Sequence, residues 1–287
     1  MLLPRASEWI TVLVFGGFVV LGWRRGLDRV RQAKITALGA GAIAVTIFGS
    51  VLLPQWVSPL AASITRNWIP CLLVLLFYSL AGQFVTRVDV HVEMWLGRLD
   101  KRWAAPYLEW CASQPFGAFV FSCLELAYSS YYISILFAVG ALYWCGAQGE
   151  TGFFWTVVLA AAYGSCGMLA FVQTRPPRMI GEKWSAHLPS GKVRAFNLWI
   201  LRHGSVQANT IPSAHVAIAT ACALALIQIG PVWIGLIFLA VAIGIAFGAV
   251  AGRYHYLADA VLGILLAVMA LVGGTVLAAC GVVESKR

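Results

Sequence analysis

The sequence predicts an all-α, polytopic membrane helix bundle of about eight spans, and three observations carry that prediction. Hydrophobic residues make up 61% of the 287, charged residues only 11%, and the mean hydropathy is +0.83, well beyond the apolar share of a soluble domain. The apolar residues gather into runs of about 20, the length that crosses roughly 30 Å of hydrocarbon at about 1.5 Å per residue. Charged residues and prolines mostly stand between the runs.

The first run extends from Glu8 to Trp23, the second from Ile35 to Leu53 and the third from Trp68 to Phe84. Only Arg5 precedes the first, offset by Glu8, and no small-residue cleavage site follows, so this run is read as a retained span. The fourth, Phe116 to Cys145, has the length of one tilted helix or of a broken one. The fifth covers Gly152 to Val172, the sixth Ile211 to Ile229, the seventh Val232 to Ala251 and the eighth Tyr256 to Cys280. Thr86 to Pro115 and Gln173 to Thr210 are polar connections. The former mixes Asp89, Glu93, Arg98, Asp100, Lys101 and Arg102 with Met94, Trp95, Leu96, Leu99 and Trp103, the pattern of an amphipathic interfacial segment or of a plain solvated loop. The 12 tryptophans partly flank spans, as aromatic belts do.

Seven cysteines sit in or beside apolar runs with no close pair and no histidine at finger spacing, so they read as small apolar residues. Gly244, Gly248 and Gly252 recur every fourth residue and line one face of the seventh span, a surface for close helix approach. With eight spans, the connections after the first, third, fifth and seventh carry all but four of the 20 Lys and Arg residues, the exceptions being Arg5, Arg66, Lys286 and Arg287. The positive-inside rule puts those connections in the cytoplasm. A double crossing by the fourth run would reverse this relation for the later loops.

The same arrangement brings three polar motifs to one membrane face: Thr174-Arg175-Pro176-Pro177-Arg178 after the fifth span, Pro212-Ser213-Ala214-His215 at the start of the sixth, and Arg253-Tyr254-His255-Tyr256-Leu257-Ala258-Asp259 between the seventh and eighth. Ionisable groups at the margin of hydrocarbon are costly unless they pair, meet water or bind a ligand. Phosphoryl transfer needs cations and donors around the transferring group, an in-line nucleophile and an acid for the leaving alcohol. Arg175 and Arg178 offer planar forks on a stiff Pro-Pro step. Ser213 and the N-terminal amides of the sixth span add neutral donors. His255 and Asp259 are one helical turn apart, so the carboxylate can hold one imidazole nitrogen and leave the other to attack. His215 is then the acid, and later the base. The scheme requires no metal or other cofactor.

These segments resemble the three signature motifs of the type 2 phosphatidic acid phosphatase and haloperoxidase superfamily. The P-P-R run and the H-Y-x-x-D form are similar to the branch that includes inositol phosphorylceramide synthase and sphingomyelin synthase. The resemblance covers roughly residues 68–280. It implies a six-helix phosphatase core within 68–287, with residues 1–67 as a two-span N-terminal addition. It also implies His255 as the residue that becomes phosphorylated, Asp259 as its orienting partner and His215 as general acid. The superfamily's first motif has a lysine seven residues before its arginine, where Met168 and Phe171 stand here. Its third motif has an arginine six residues before the nucleophile, where Ala249 stands. Arg253 and Lys183 are the expected substitutes, and Ala214 replaces the glycine of P-S-G-H.

The expected activity is hydrolysis of a lipid phosphate ester through a phospho-histidine. The alternatives are head-group phosphotransfer through the same intermediate and a non-enzymatic lipid transporter or scaffold. The expected partners are a lipid phosphate or phospholipid and the membrane, not nucleic acid. Charge bias points the site to the cytoplasmic side of a bacterial-type cytoplasmic membrane, whereas the resemblance implies an outward-facing site in many relatives. His91, His187 and His203 read as interfacial or structural residues, and Lys192, Arg194 and Arg202 as solvated or lipid-headgroup contacts. Glu125, in the middle of the fourth span, reads equally as functional or as satisfied by Tyr128, Ser129 and Ser130.

Overall fold

The computed structural model describes residues 4–180 and 191–283. Its architecture is an all-α bundle, with a single isolated bridge between Thr174 and Asn209 as the only extended pairing among the described residues. Helices α1 (Ala6–Arg24), α2 (Arg29–Ile47) and α3 (Pro59–Gly82) cross in alternation. Asp28 caps α2 by accepting from the Arg31 amide at 2.9 Å, and Ser58 caps α3, with Pro59 in the first turn where no amide is needed.

The third span begins nine residues earlier than its hydropathy indicates, because Arg66 and Asn67 are paired inside it. Arg66 donates to Glu8 at 2.5 and 2.7 Å, while Asn67 accepts from Arg5 at 2.7 Å and from Thr151 at 2.8 Å. The boundary after residue 67 falls within this helix.

The stretch 86–115 folds as two helices, α4 (Val90–Trp103) and α5 (Ala105–Ser113), and is not a plain loop. The inward face of α4 carries Glu93 and Asp100 as well as Leu96, all buried, while Met94 and Trp95 are exposed.

The fourth span is a broken pair, α6 (Gly117–Ser129) and α7 (Tyr131–Trp144), bent by 56°. It crosses once. On α11 (Val232–Ala251), Gly248 lies against Leu124 and Gly244 against Ala127, so α6 descends antiparallel to α11, and at the far end Trp144 meets Trp233 at 6.2 Å between ring centroids. The glycine face read from the sequence is therefore the seat of α6. A Cβ at Gly248 would stand 2.3 Å from the Leu124 carbonyl oxygen.

At the centre stand α8 (Thr151–Gly167) and α10 (Ala214–Ile229), ringed by α7, α11 and α12 (Leu257–Ala279). Among the described residues, six helices have the length and apolarity of a span and the bent pair makes a seventh; α10 is the short eighth segment, buried on nearly every side. This composition and architecture are those of an integral membrane protein. Among the described residues, the connection after α8 holds the helix α9 (Lys192–Gly204), whose Phe196 and Trp199 are exposed and whose Asn197 and Leu201 are buried.

Candidate active site

The three motifs meet at one end of the bundle. Between α11 and α12 the chain turns in five residues, and Arg253 takes a φ of 64°, a left-handed conformation that side-chain-bearing residues rarely adopt. Three hydrogen bonds hold it there: the Arg178 amide donates to the Arg253 carbonyl at 3.0 Å, and the amides of Tyr254 and His255 both donate to the Ala249 carbonyl, at 2.9 and 3.0 Å. The turn ends where the Tyr256 amide donates to Asp259 Oδ2 at 2.9 Å, so the carboxylate caps its own helix.

His255 Nε2 faces His215 Nδ1 at 3.3 Å, and behind it His255 Nδ1 stands 3.7 Å from Asp259 Oδ2. His215 is carried into place as the second residue of α10, whose start is fixed by Ser213. The Ser213 hydroxyl accepts from the Val216 amide at 3.4 Å, and its own amide donates to the Asp259 carbonyl at 2.9 Å. The N-termini of α10 and α12 are thus tied directly to each other. Burial, and secondarily the charge of Arg178, pushes the His255 imidazole down to about 3, so it is neutral at physiological pH. His255 Nδ1 and Asp259 Oδ1 have no hydrogen-bond partner among the described residues.

Of the expected cations, Arg178 stands with its guanidinium 5.9 Å from the centroid of the Tyr254 ring, the residue before His255, and its charge acts on the His255 imidazole. Arg175 turns outward, 46% exposed, with its guanidinium and amide gripping Glu93 at 2.6 to 3.1 Å. That contact holds the Glu93 carboxyl below its ordinary value. Arg253 is buried 3.6 Å from Asp100, which also accepts from the Leu257 amide at 2.8 Å. Lys183 lies outside the described residues.

Several site residues were not readable from the motifs. Asn209 donates to Asp259 at 2.8 Å and to Thr174 at 3.2 Å. Tyr128 of α6 stands with its hydroxyl 3.3 Å from His215 Nε2. Glu125 is satisfied, but by other groups than its sequence neighbours: Arg194 donates at 2.5 Å, Asn197 at 2.8 Å and Tyr254 at 2.5 Å. Arg194 is therefore an internal partner rather than a headgroup contact. A buried acid in a span and a tyrosine one turn away were the only signals.

Two cavities adjoin the site. One of about 450 Å³ is almost wholly apolar and opens between α5, α11 and α12, with Trp103, Tyr107, Ala246, Val250, Leu257 and Ala260 in its wall. The other, about 300 Å³, is lined by Glu93, Arg98, Lys101, Arg253 and Tyr256.

The model of the PAP2 superfamily matches residues 91–273, well over half of the chain, from the start of α4 to near the end of α12. No curated protein and no solved structure matches. The matched span contains both histidines, Asp259 and Arg178, and on that extent of similarity the chain belongs to the PAP2 superfamily.

Proposed function

We propose that this protein hydrolyses a lipid phosphate ester through a phosphorylated His255. The observation that carries the reading is the facing pair of imidazole nitrogens, His255 Nε2 and His215 Nδ1, with a carboxylate behind the first and the Arg178 guanidinium over the adjacent Tyr254 ring. The lone pair on His255 Nε2 attacks phosphorus, the bond from phosphorus to the lipid oxygen breaks, and that oxygen takes the proton from Nδ1 of His215. Water then bonds to phosphorus and gives its proton back to Nδ1, while the N–P electron pair returns to His255. A neutral nucleophile suits the first step. Asp259 stabilises the charge that grows on the His255 ring, and Arg178 that on the phosphoryl oxygens.

Arg253, at the polar cavity, adds positive charge, Ser213 supports the helix N-terminus beside the phosphate, and Arg175 fixes α4 through Glu93. The apolar cavity beside Leu257 and Ala260 supports a substrate with a hydrocarbon chain. The P-P-R and H-Y-x-x-D forms favour a second reading, in which an alcohol replaces water and a head group is transferred. The charge bias supports a cytoplasmic orientation of the site.

Single-turnover reaction of the purified protein with radiolabelled lipid phosphates and phosphodiesters, with and without acceptor alcohols, tests the proposal. Release of inorganic phosphate through an acid-labile phosphoenzyme, absent in His255→Ala, is the expected result. Label appearing only in a new lipid or polyol phosphate establishes transfer instead, and an active His255→Ala protein overturns the nucleophile.

A further inference from the structure

We propose that Tyr128 is the positioning residue that fixes the proton of His215, an inference that rests on the acid role of His215 proposed above. An imidazole that passes one proton back and forth must do so through one nitrogen, so its other nitrogen needs a fixed partner. In serine hydrolases a carboxylate plays that part for the catalytic histidine. Among the described residues no carboxylate stands at the second nitrogen of His215. Nδ1 faces His255 at 3.3 Å, and the group at Nε2, also at 3.3 Å, is the Tyr128 hydroxyl.

The Tyr128 oxygen accepts the Nε2–H of His215, in both the protonated ring and the neutral one. Nδ1 is then the nitrogen that loses its proton to the leaving alcohol and regains it from water, and the proton count closes without Tyr128 changing its own state. A phenol is a weaker acceptor than a carboxylate and leaves the imidazolium less stabilised, which keeps His215 a stronger acid toward an alkoxide.

The ring of Tyr128 is held as tightly as its hydroxyl. It stacks on His215 at 5.0 Å with 29° between planes and on Tyr254 at 4.1 Å with 18°, and it is fully buried. Tyr254 is itself anchored by its bond to Glu125, and it belongs to the turn that carries His255. One aromatic stack therefore sets the position of both histidines. The structure gives Glu125 to Arg194, Asn197 and Tyr254 and so turns the Tyr128 hydroxyl to His215.

Tyr128→Phe keeps the stack and removes the oxygen. The test compares two single-tailed monoesters in detergent, dodecyl phosphate, whose alkoxide needs a proton to leave, and 4-dodecyl-2-nitrophenyl phosphate, whose phenolate does not. A general acid contributes about 10²- to 10⁴-fold, and losing one neutral hydrogen bond to it costs about tenfold. Tyr128→Phe is expected to lower kcat/KM on the alkyl ester about tenfold and to spare that on the aryl ester, because kcat/KM reports the phosphorylation half-reaction and leaves out the water step that both esters share. His215→Ala is expected to show the same selectivity on a larger scale. Equal losses on both esters in Tyr128→Phe, or none on either, overturn the proposal for the tyrosine. A His215→Ala protein that loses both esters equally overturns the acid role of His215 beneath it.

Discussion

Glu125 and Tyr254 are 129 residues apart in sequence, yet the Tyr254 hydroxyl donates to the Glu125 carboxylate at 2.5 Å and so ties the turn that carries His255 to the middle of a spanning helix. Arg194, from the interfacial helix α9, reaches the same carboxylate. Glu125→Ala leaves a largely buried guanidinium and a buried phenol without their acceptor, a change that costs about 3 to 5 kcal/mol when a buried ion pair loses one member. The expected result is a lower melting temperature in detergent and little turnover. Glu125→Gln, whose amide oxygen still accepts from Tyr254, should retain more of both. Equal melting of Glu125→Ala and the parent protein would contradict the structural role.

Asn209 donates to Asp259 at 2.8 Å, on the same carboxylate oxygen that stands behind His255. Hydrogen bonds to charged groups contribute about 1.5 to 3 kcal/mol. Asn209→Ala should therefore lower kcat by about 10- to 100-fold and leave KM nearly unchanged, because Asp259 is released behind the proposed nucleophile while the proposed phosphate-binding residues stay in place. A variant with full kcat would remove Asn209 from the site.

These two residues show what the sequence could and could not convey. Hydropathy outlined every span, since a membrane demands long apolar runs, and the i, i+4 spacing of His255 and Asp259 needs no tertiary information. The partners of those groups are different. Asn209 meets Asp259, and Glu93 meets Arg175, across 50 and 82 residues, with no local periodicity to announce it. Charge was also misleading in α3 and α9, where Arg66 and Arg194 read as boundary residues but are folded inward against carboxylates.

Gly248 and Gly244 differ in how closely α6 approaches them. A Cβ at Gly248 would lie 2.3 Å from the Leu124 backbone oxygen, whereas one at Gly244 would lie 3.1 Å from the Ala127 side chain. Leu124 adjoins Glu125, so a shift of α6 there moves the anchor of Tyr254. Gly248→Ala is expected to cost about 1 to 3 kcal/mol, as overpacking does, and to reduce activity; Gly244→Ala should be the milder of the two in a detergent melting series. The reverse order would show that α6 does not seat on this face.

Orientation is open to direct labelling. Lys192 is exposed beside the site, and Gln148 is exposed at the opposite end, between α7 and α8. With the exposed Cys123 and Cys280 replaced by serine, an impermeant thiol reagent applied to intact cells should label Gln148→Cys and spare Lys192→Cys. The opposite pattern places the site outside.

The buried imidazole of His255 makes stability depend on pH. Its folded value is about 3, held down by burial and then by Arg178, against about 6.5 for an unfolded histidine. Between those limits the unfolded chain takes up a proton that the folded chain refuses. The contribution is thus present in full above about pH 6.5 and is lost as pH falls toward 3, at about 1.4 kcal/mol per unit for one proton. Melting in detergent should move to lower temperature between pH 7 and pH 5. In His255→Asn, which has no proton to gain, the slope of stability against pH should flatten by about one proton. An unchanged slope would mean that His255 meets water and titrates at its ordinary value in the folded protein.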